Sequence, residues 1–114
     1  MDERIEKWLH DILNSITEIE SFTEGKPKIF SAYQNDLITK RAVERNLEII
    51  GEAMNRILQR DESYLQKINE ARNIVGLRNQ IIHSYDNLSD ENIWAILINH
   101  IPKLKSEVKQ LLNF

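Results

Sequence analysis

The chain has 114 residues, no cysteine, three glycines, two prolines and a formal net charge of −3. That length fits one domain, 1–114, around a single core, and the lack of cysteine excludes disulfides and thiolate metal sites. The acidic balance removes any global attraction to nucleic acid, so an RNA contact must rest on a local basic patch.

The start, Met1-Asp2-Glu3-Arg4, does not have the form of a signal peptide. Residues 4–24 read as a first helix, because Ile5, Trp8, Leu9, Ile12, Ile16, Ile19 and Phe22 recur every three or four positions. Trp8 belongs to that apolar face and is expected in the core. Gly25 is expected to cap the helix and Pro27 to prevent its continuation. A connector follows over 26–35, in which Phe30 and Tyr33 are expected to tuck the loop against the bundle.

Asp36 is a suitable N-cap for a second helix running to about Arg60. Leu37, Val43, Leu47, Ile50, Met54 and Ile57 form its buried stripe, widened by Ile49, Ala53 and Leu58. Gly51 in mid-helix weakens the helix by about 1 kcal/mol relative to alanine. Its expected use is to admit a neighbouring backbone closely. Lys40, Arg41 and Arg45 make the first half of this helix basic and are candidate RNA-backbone contacts. The bland alternative pairs them along the helix, Lys40 with Glu44 and Arg45 with Glu48.

A short helical turn is expected at Tyr64, Leu65 and Ile68, then a third helix from about Ala71 to His83, with Ile74, Leu77, Ile81 and Ile82 facing inward. Asp86 to Ser89 reads as a turn, with Ser89 or Asn87 capping the last helix. Ile93, Leu97, Ile101, Leu104, Val108 and Leu111 form its stripe, and Pro102 must kink or split it. His100 reads as structural. No run is long and uncharged enough to span a bilayer, and a cytoplasmic location is expected. The expected fold is all-α, an antiparallel four-helix bundle, five helices if the last one splits near Pro102.

The chemistry-bearing stretch is Gly76 to Tyr85, which contains Arg78-x4-His83-x-Tyr85. Arginine is a permanent cation able to grip a phosphate with two prongs. Histidine takes and gives protons near neutrality. Together they suffice in principle to cleave RNA without a metal: the histidine moves protons and the arginine neutralises charge growing on the phosphate. A comparable pair, Arg4 and His10, lies mid-helix among Glu3, Glu6 and Asp11 and reads as a solvated face. Arg78 and Tyr85 are seven residues apart and nearly eclipsed on a helix, whereas His83 points about 140° away from Arg78. Either the helix unwinds before His83, or two copies of the motif meet across a dimer.

This motif, with Arg45-Asn46-Leu47-Glu48-Ile49-Ile50-Gly51-Glu52-Ala53 before it and the segment from Ile93-Trp94 to Lys105 after it, resembles the HEPN superfamily and, within it, the HepT-like toxins. The resemblance implies a HEPN-like helical fold and a homodimer whose cleft lies at the two-fold interface. It implies a metal-independent endoribonuclease, with Arg78 and His83 catalytic, RNA as substrate and no cofactor; Asn79, next to Arg78, is a candidate supporting residue that orients the phosphate or Arg78, or else a simple polar helix residue. It further implies a cognate minimal nucleotidyltransferase antitoxin, in a type VII-like toxin–antitoxin pair, that attaches AMP to Tyr85. The alternative is a non-catalytic helical adaptor, or an RNA- or nucleotide-binding subunit of a nucleotidyltransferase complex. In an adaptor His83 would be buried or Arg78 paired with a carboxylate.

Overall fold

The computed structural model describes residues 1–26, 28–83 and 89–114, and of His83 the backbone alone. Seven helices lie among the described residues, with no strand: α1 (Glu3–Thr23), α2 (Phe30–Gln34), α3 (Leu37–Arg60), α4 (Tyr64–Lys67), α5 (Ala71–His83), α6 (Asp90–Asn99) and α7 (Ile101–Leu111). Three long helices and the α6–α7 pair make the bundle; α2 and α4 are single turns within connections. None of the described helices is long and apolar enough to cross a membrane.

The helix ends follow from local chemistry. Asp2 caps α1 by accepting from the backbone N–H groups of Arg4 and Ile5 at 2.9 and 3.1 Å. At its far end Gly25 takes φ 73°, a left-handed conformation that costs a residue without Cβ little. Asp36 caps α3 by accepting from the Thr39 N–H at 3.1 Å and its hydroxyl at 2.7 Å. Of the two candidates for capping α6, Ser89 does so, accepting from the Asn92 N–H at 3.1 Å; Asn87 lies outside the described residues. Pro102 splits the last helix. It falls in the first turn of α7, where a missing N–H breaks no intrahelical bond.

Packing centres on α3, which is covered by α1 on one side and α5 on the other. Ion pairs join the ends of the antiparallel helices. Arg60, at the end of α3, meets Asp2 before α1 at 2.9 Å, and Lys26, after α1, meets Asp36 before α3 at 2.9 Å. On the opposite flank Glu20 meets Lys105 of α7 at 2.9 Å. The core is aliphatic: Leu9, Ile12, Ile16, Leu47, Ile50 and Ile57 are fully buried. Removing the side chain of one such leucine or isoleucine costs about 2–5 kcal/mol.

Two expected core positions are exposed. Leu37 is 59% exposed because it sits about 200° of helix rotation from Thr39, which with Val43, Leu47 and Ile50 faces inward. Ile82 is 40% exposed because it lies one turn beyond Arg78, on the polar face of α5, while Ile74 and Leu77 are buried. Trp8 and Phe22 are half-buried at the margins of the α1 stripe. Tyr33 is 5% exposed and its ring lies 5.3 Å from that of Trp94, so α2 does fasten the connector to α6. Burial, with Glu44 and Asp90 nearby, pushes its hydroxyl well above the usual tyrosine range.

At the α6–α7 break, His100 Nδ1 lies 2.7 Å from Oε2 of the buried Glu70. Glu107 accepts from the backbone N–H groups of Asn69 and Glu70 at 2.7 and 3.3 Å. These contacts tie the break to the start of α5, a structural use of His100.

Candidate active site

The candidate site grows from the crossing of α3 and α5. On α3, Arg45, Glu48, Glu52 and Arg56 are spaced by three, four and four, so they share one face beside the apolar stripe. Gly51 stands next to them. A Cβ built on Gly51 would lie 2.2 Å from the Arg78 Cβ and 3.2 Å from the Ile74 carbonyl oxygen. Only glycine admits α5 this closely, and the residue admitted is Arg78 itself. Gly76, in contrast, has nothing within 4 Å of the place a Cβ would take. It plays no steric part in presenting the motif.

The Arg78 side chain is 21% exposed, and its guanidinium is held on both sides. Nη2 meets Glu52 Oε2 at 2.5 Å, and Nη1 donates to Asn79 Oδ1 at 3.2 Å. Nε is buried and makes no hydrogen bond among the described residues. A second cation competes for Glu52, since Arg56 Nε donates to its Oε1 at 3.1 Å. Beside Arg78 opens a cavity of about 320 Å³ whose walls include Trp8 and Asp11 of α1, Arg45 and Glu48 of α3, and Ile82 of α5. A planar guanidinium fixed at the back of a charged cleft suits the recognition of a phosphate.

The basic residues of the first half of α3 do not form one free patch. Lys40 pairs with Asp90 of α6 at 2.9 Å, not with Glu44, and both side chains are largely covered. This cross-helix pair draws Lys40 into the structure between α3 and α6. Arg41 takes Glu44 at 3.0 Å, and Arg45 stands 3.7 Å from Glu48. Arg45 alone of the three lines the Arg78 cavity.

Helix α5 continues through His83, so the helix does not unwind before that residue. On one chain, the backbone positions 78 and 83 therefore lie about 140° apart around the α5 axis. The His83 side chain and Tyr85 lie outside the described residues.

Glu52, Arg56 and Trp8 border the cavity or hold Arg78, and none had been assigned a site role from sequence. The signal for the first two was present as the 45, 48, 52, 56 stripe, readable as surface ion pairs until α5 is seen to cross there. Trp8 carried no such signal, because its spacing is that of the core.

The Ribonuclease HepT-like family matches the chain over residues 12–111, a span that contains α3, α5 and the whole motif. The chain belongs to the HepT-like ribonuclease family. It is 35% identical over 92% of its length to a Methanocaldococcus jannaschii protein named "Putative RNase", covering 94% of that protein. Another protein of the same organism and description is 31% identical, over 96% of this chain and 88% of its own length. A Thermococcus cleftensis protein named "Probable ribonuclease HepT" is 34% identical, with 91% and 92% covered. No solved structure matches. Membership agrees with the all-helical HEPN-like bundle and places this HepT-like chain among ribonucleases.

Proposed function

We propose that this HepT-like chain is a metal-independent endoribonuclease toxin acting as a homodimer. His83 acts as general acid or base. The ribose 2′-hydroxyl attacks the adjacent phosphorus, the new P–O2′ bond forms, and the P–O5′ bond breaks. The 2′-hydroxyl proton is removed to a base, and the departing 5′ oxygen receives one. The product ends in a 2′,3′-cyclic phosphate. Arg78 neutralises charge on the phosphate in the transition state, with Asn79 and Glu52 orienting its guanidinium. The observation that carries this reading is Arg78, held at the back of an open charged cavity by the α3–α5 crossing that Gly51 permits.

A two-fold dimer brings each surface patch against its own copy. It is the arrangement by which His83 of one chain serves Arg78 of the other, given that α5 stays helical through His83. Control comes from a partner nucleotidyltransferase that attaches AMP to Tyr85. A phosphodiester seven residues beyond Arg78 adds negative charge where RNA must approach.

The Arg78–Glu52 ion pair favours an alternative, a helical adaptor in which Arg78 is structural. Product analysis separates the two. Unmodified protein incubated with RNA in EDTA is expected to yield 2′,3′-cyclic phosphate ends. RNA binding without cleavage supports the adaptor. Intact mass after co-production with the nucleotidyltransferase should rise by one or more AMP additions, and Tyr85→Phe should abolish the rise. A gain that survives the substitution rejects Tyr85 as the acceptor.

A further inference from the structure

On the other side of the bundle lies a second cavity, of about 270 Å³, which shares no wall with the Arg78 cleft. It sits where the end of α1, the one-turn α2 and the start of α3 meet the α6–α7 break. Its interior is aliphatic and aromatic: Ile16, Ile19, Leu97 and Ile101 at the base, with Trp94 and Tyr33 as walls. Ala32 contributes only a methyl group on the α2 side, and Pro102 closes the opposite edge. At the mouth Ile98 is 41% exposed, an apolar side chain left facing water beside an apolar hollow.

The charged groups stand at the rim, while the lining also includes Thr23, Thr39 and Tyr33, whose hydroxyl is buried without a hydrogen bond among the described residues. The charged groups are the ammonium groups of Lys26, Lys28 and Lys105 against the carboxylates of Glu20 and Asp36. Lys105 is engaged by Glu20, and Lys26 by Asp36 and the Thr39 hydroxyl at 2.9 Å each. Lys28, on the exposed connector, has no ion pair among the described residues. The rim therefore carries one positive charge in excess over an apolar interior. Ligand sites of this kind combine apolar walls with a few polar groups that fix one end of the ligand.

We infer that this cavity binds a small amphipathic acid, a medium-chain alkyl carboxylate, with its chain against Ile16, Ile19, Leu97 and Ile98 and its carboxylate at the lysine rim near Lys28. The charge excess selects an anionic head over a neutral or cationic one. The depth of aliphatic wall selects an alkyl body over a sugar or a free phosphate. Occupancy covers Ile98 and braces the α6–α7 break, and it involves no residue of the Arg78 cleft.

Decanoate, titrated below its micelle-forming concentration into the full chain and followed by amide NMR, tests this directly. Saturable shifts are expected at Ile16, Ile19, Trp94 and Leu97, with those of Glu48, Glu52 and Arg78 unmoved. Each methylene from octanoate to decanoate should tighten binding about fourfold. Lys28→Glu, at an exposed position, should weaken it about fivefold. Ile98→Trp should block the mouth and abolish the shifts while the thermal midpoint holds. Three results would overturn the assignment: no saturable shift, decanol binding as tightly as decanoate, or shifts confined to the Arg78 cleft.

Discussion

The two cavities are built on opposite flanks of the same α1–α3 pair and use charge in opposite ways. In the Arg78 cleft the charges are the walls. Arg45, Arg56 and Arg78 face Asp11, Glu48 and Glu52, and most already hold one another. In the α6–α7 cavity the walls are apolar and the charges stand only at the edge. A cleft of paired charges is poised for an ionic ligand that exchanges partners with it. An apolar hollow takes the uncharged part of a ligand and leaves its head outside. One small bundle thus carries two surfaces of different chemistry, and substitutions should affect them separately.

The largest separation should come from Arg78→Ala. On the proposed mechanism, removing the Arg78 cation should lower RNA cleavage about 10²- to 10³-fold. Decanoate binding on the far side should be unchanged. Loss of both functions together would mean that the bundle, not the cleft, had been damaged, and circular dichroism with the thermal midpoint distinguishes these outcomes.

Next in size is a contrast within the motif region. Gly51→Ala forces a Cβ into the Arg78 side chain and should cost about 1–3 kcal/mol of stability in denaturant unfolding. Gly76→Ala meets open space in the middle of α5 and should stabilise by about 0.5–1 kcal/mol. Equal effects of the two substitutions would contradict the close α3–α5 approach.

A smaller effect belongs to the rim of the apolar cavity. The Thr39 hydroxyl, the Lys26 ammonium and the Thr39 N–H hold the Asp36 carboxyl down at about 2. Because its folded pKa is lowered, its contribution is present above the unfolded value of about 3.9 and is lost as pH falls towards 2. Asp36→Asn retains a capping side chain but not the charge. Its thermal midpoint should therefore fall less steeply than the wild type's between about pH 4 and pH 2. Asp2 and Asp61, whose carboxyls are also lowered by hydrogen bonds to their own helix starts and turns, supply a background slope common to both proteins. Identical slopes would contradict the Asp36 network.

The smallest effect is Arg41→Ala. Its pair with Glu44 is exposed on the arginine side and should contribute about 0–1 kcal/mol. Since Arg41 does not line the Arg78 cleft, cleavage should hardly change. A large loss would place RNA on the first half of α3 after all.

The order of the longer helices, the cap at Asp36, Ser89 as one of two candidate caps and a kink or split at Pro102 were legible because each depends on residues within a turn or two, whereas α2 lies in a stretch that read as a connector. The close approach at Gly51 was legible as a kind of contact, but not its partner, since Arg78 is 27 residues away and only the crossing brings them together. Leu37 and Ile82 were misplaced for a related reason. An apolar residue near the end of a stripe is buried only if a neighbouring helix reaches it, and periodicity says nothing of that. Lys40 was a candidate RNA contact, with Glu44 as its alternative partner within α3, whereas Asp90 reaches it from another helix. The motif itself stood in the sequence; its guanidinium partner, Glu52, was hidden among the ordinary ion pairs of α3. The apolar cavity could not be read at all, because its walls come from five helices and each wall residue alone looks like core.

The central claim is that this HepT-like chain cleaves RNA through its Arg78-x4-His83 motif without a metal. Its most direct test is RNA cleavage in EDTA by unmodified wild-type protein beside His83→Ala purified identically. Cleavage by the wild type that disappears in the variant is the predicted result. No cleavage by a wild type shown by intact mass to carry no AMP, or equal cleavage by both proteins, would contradict the account.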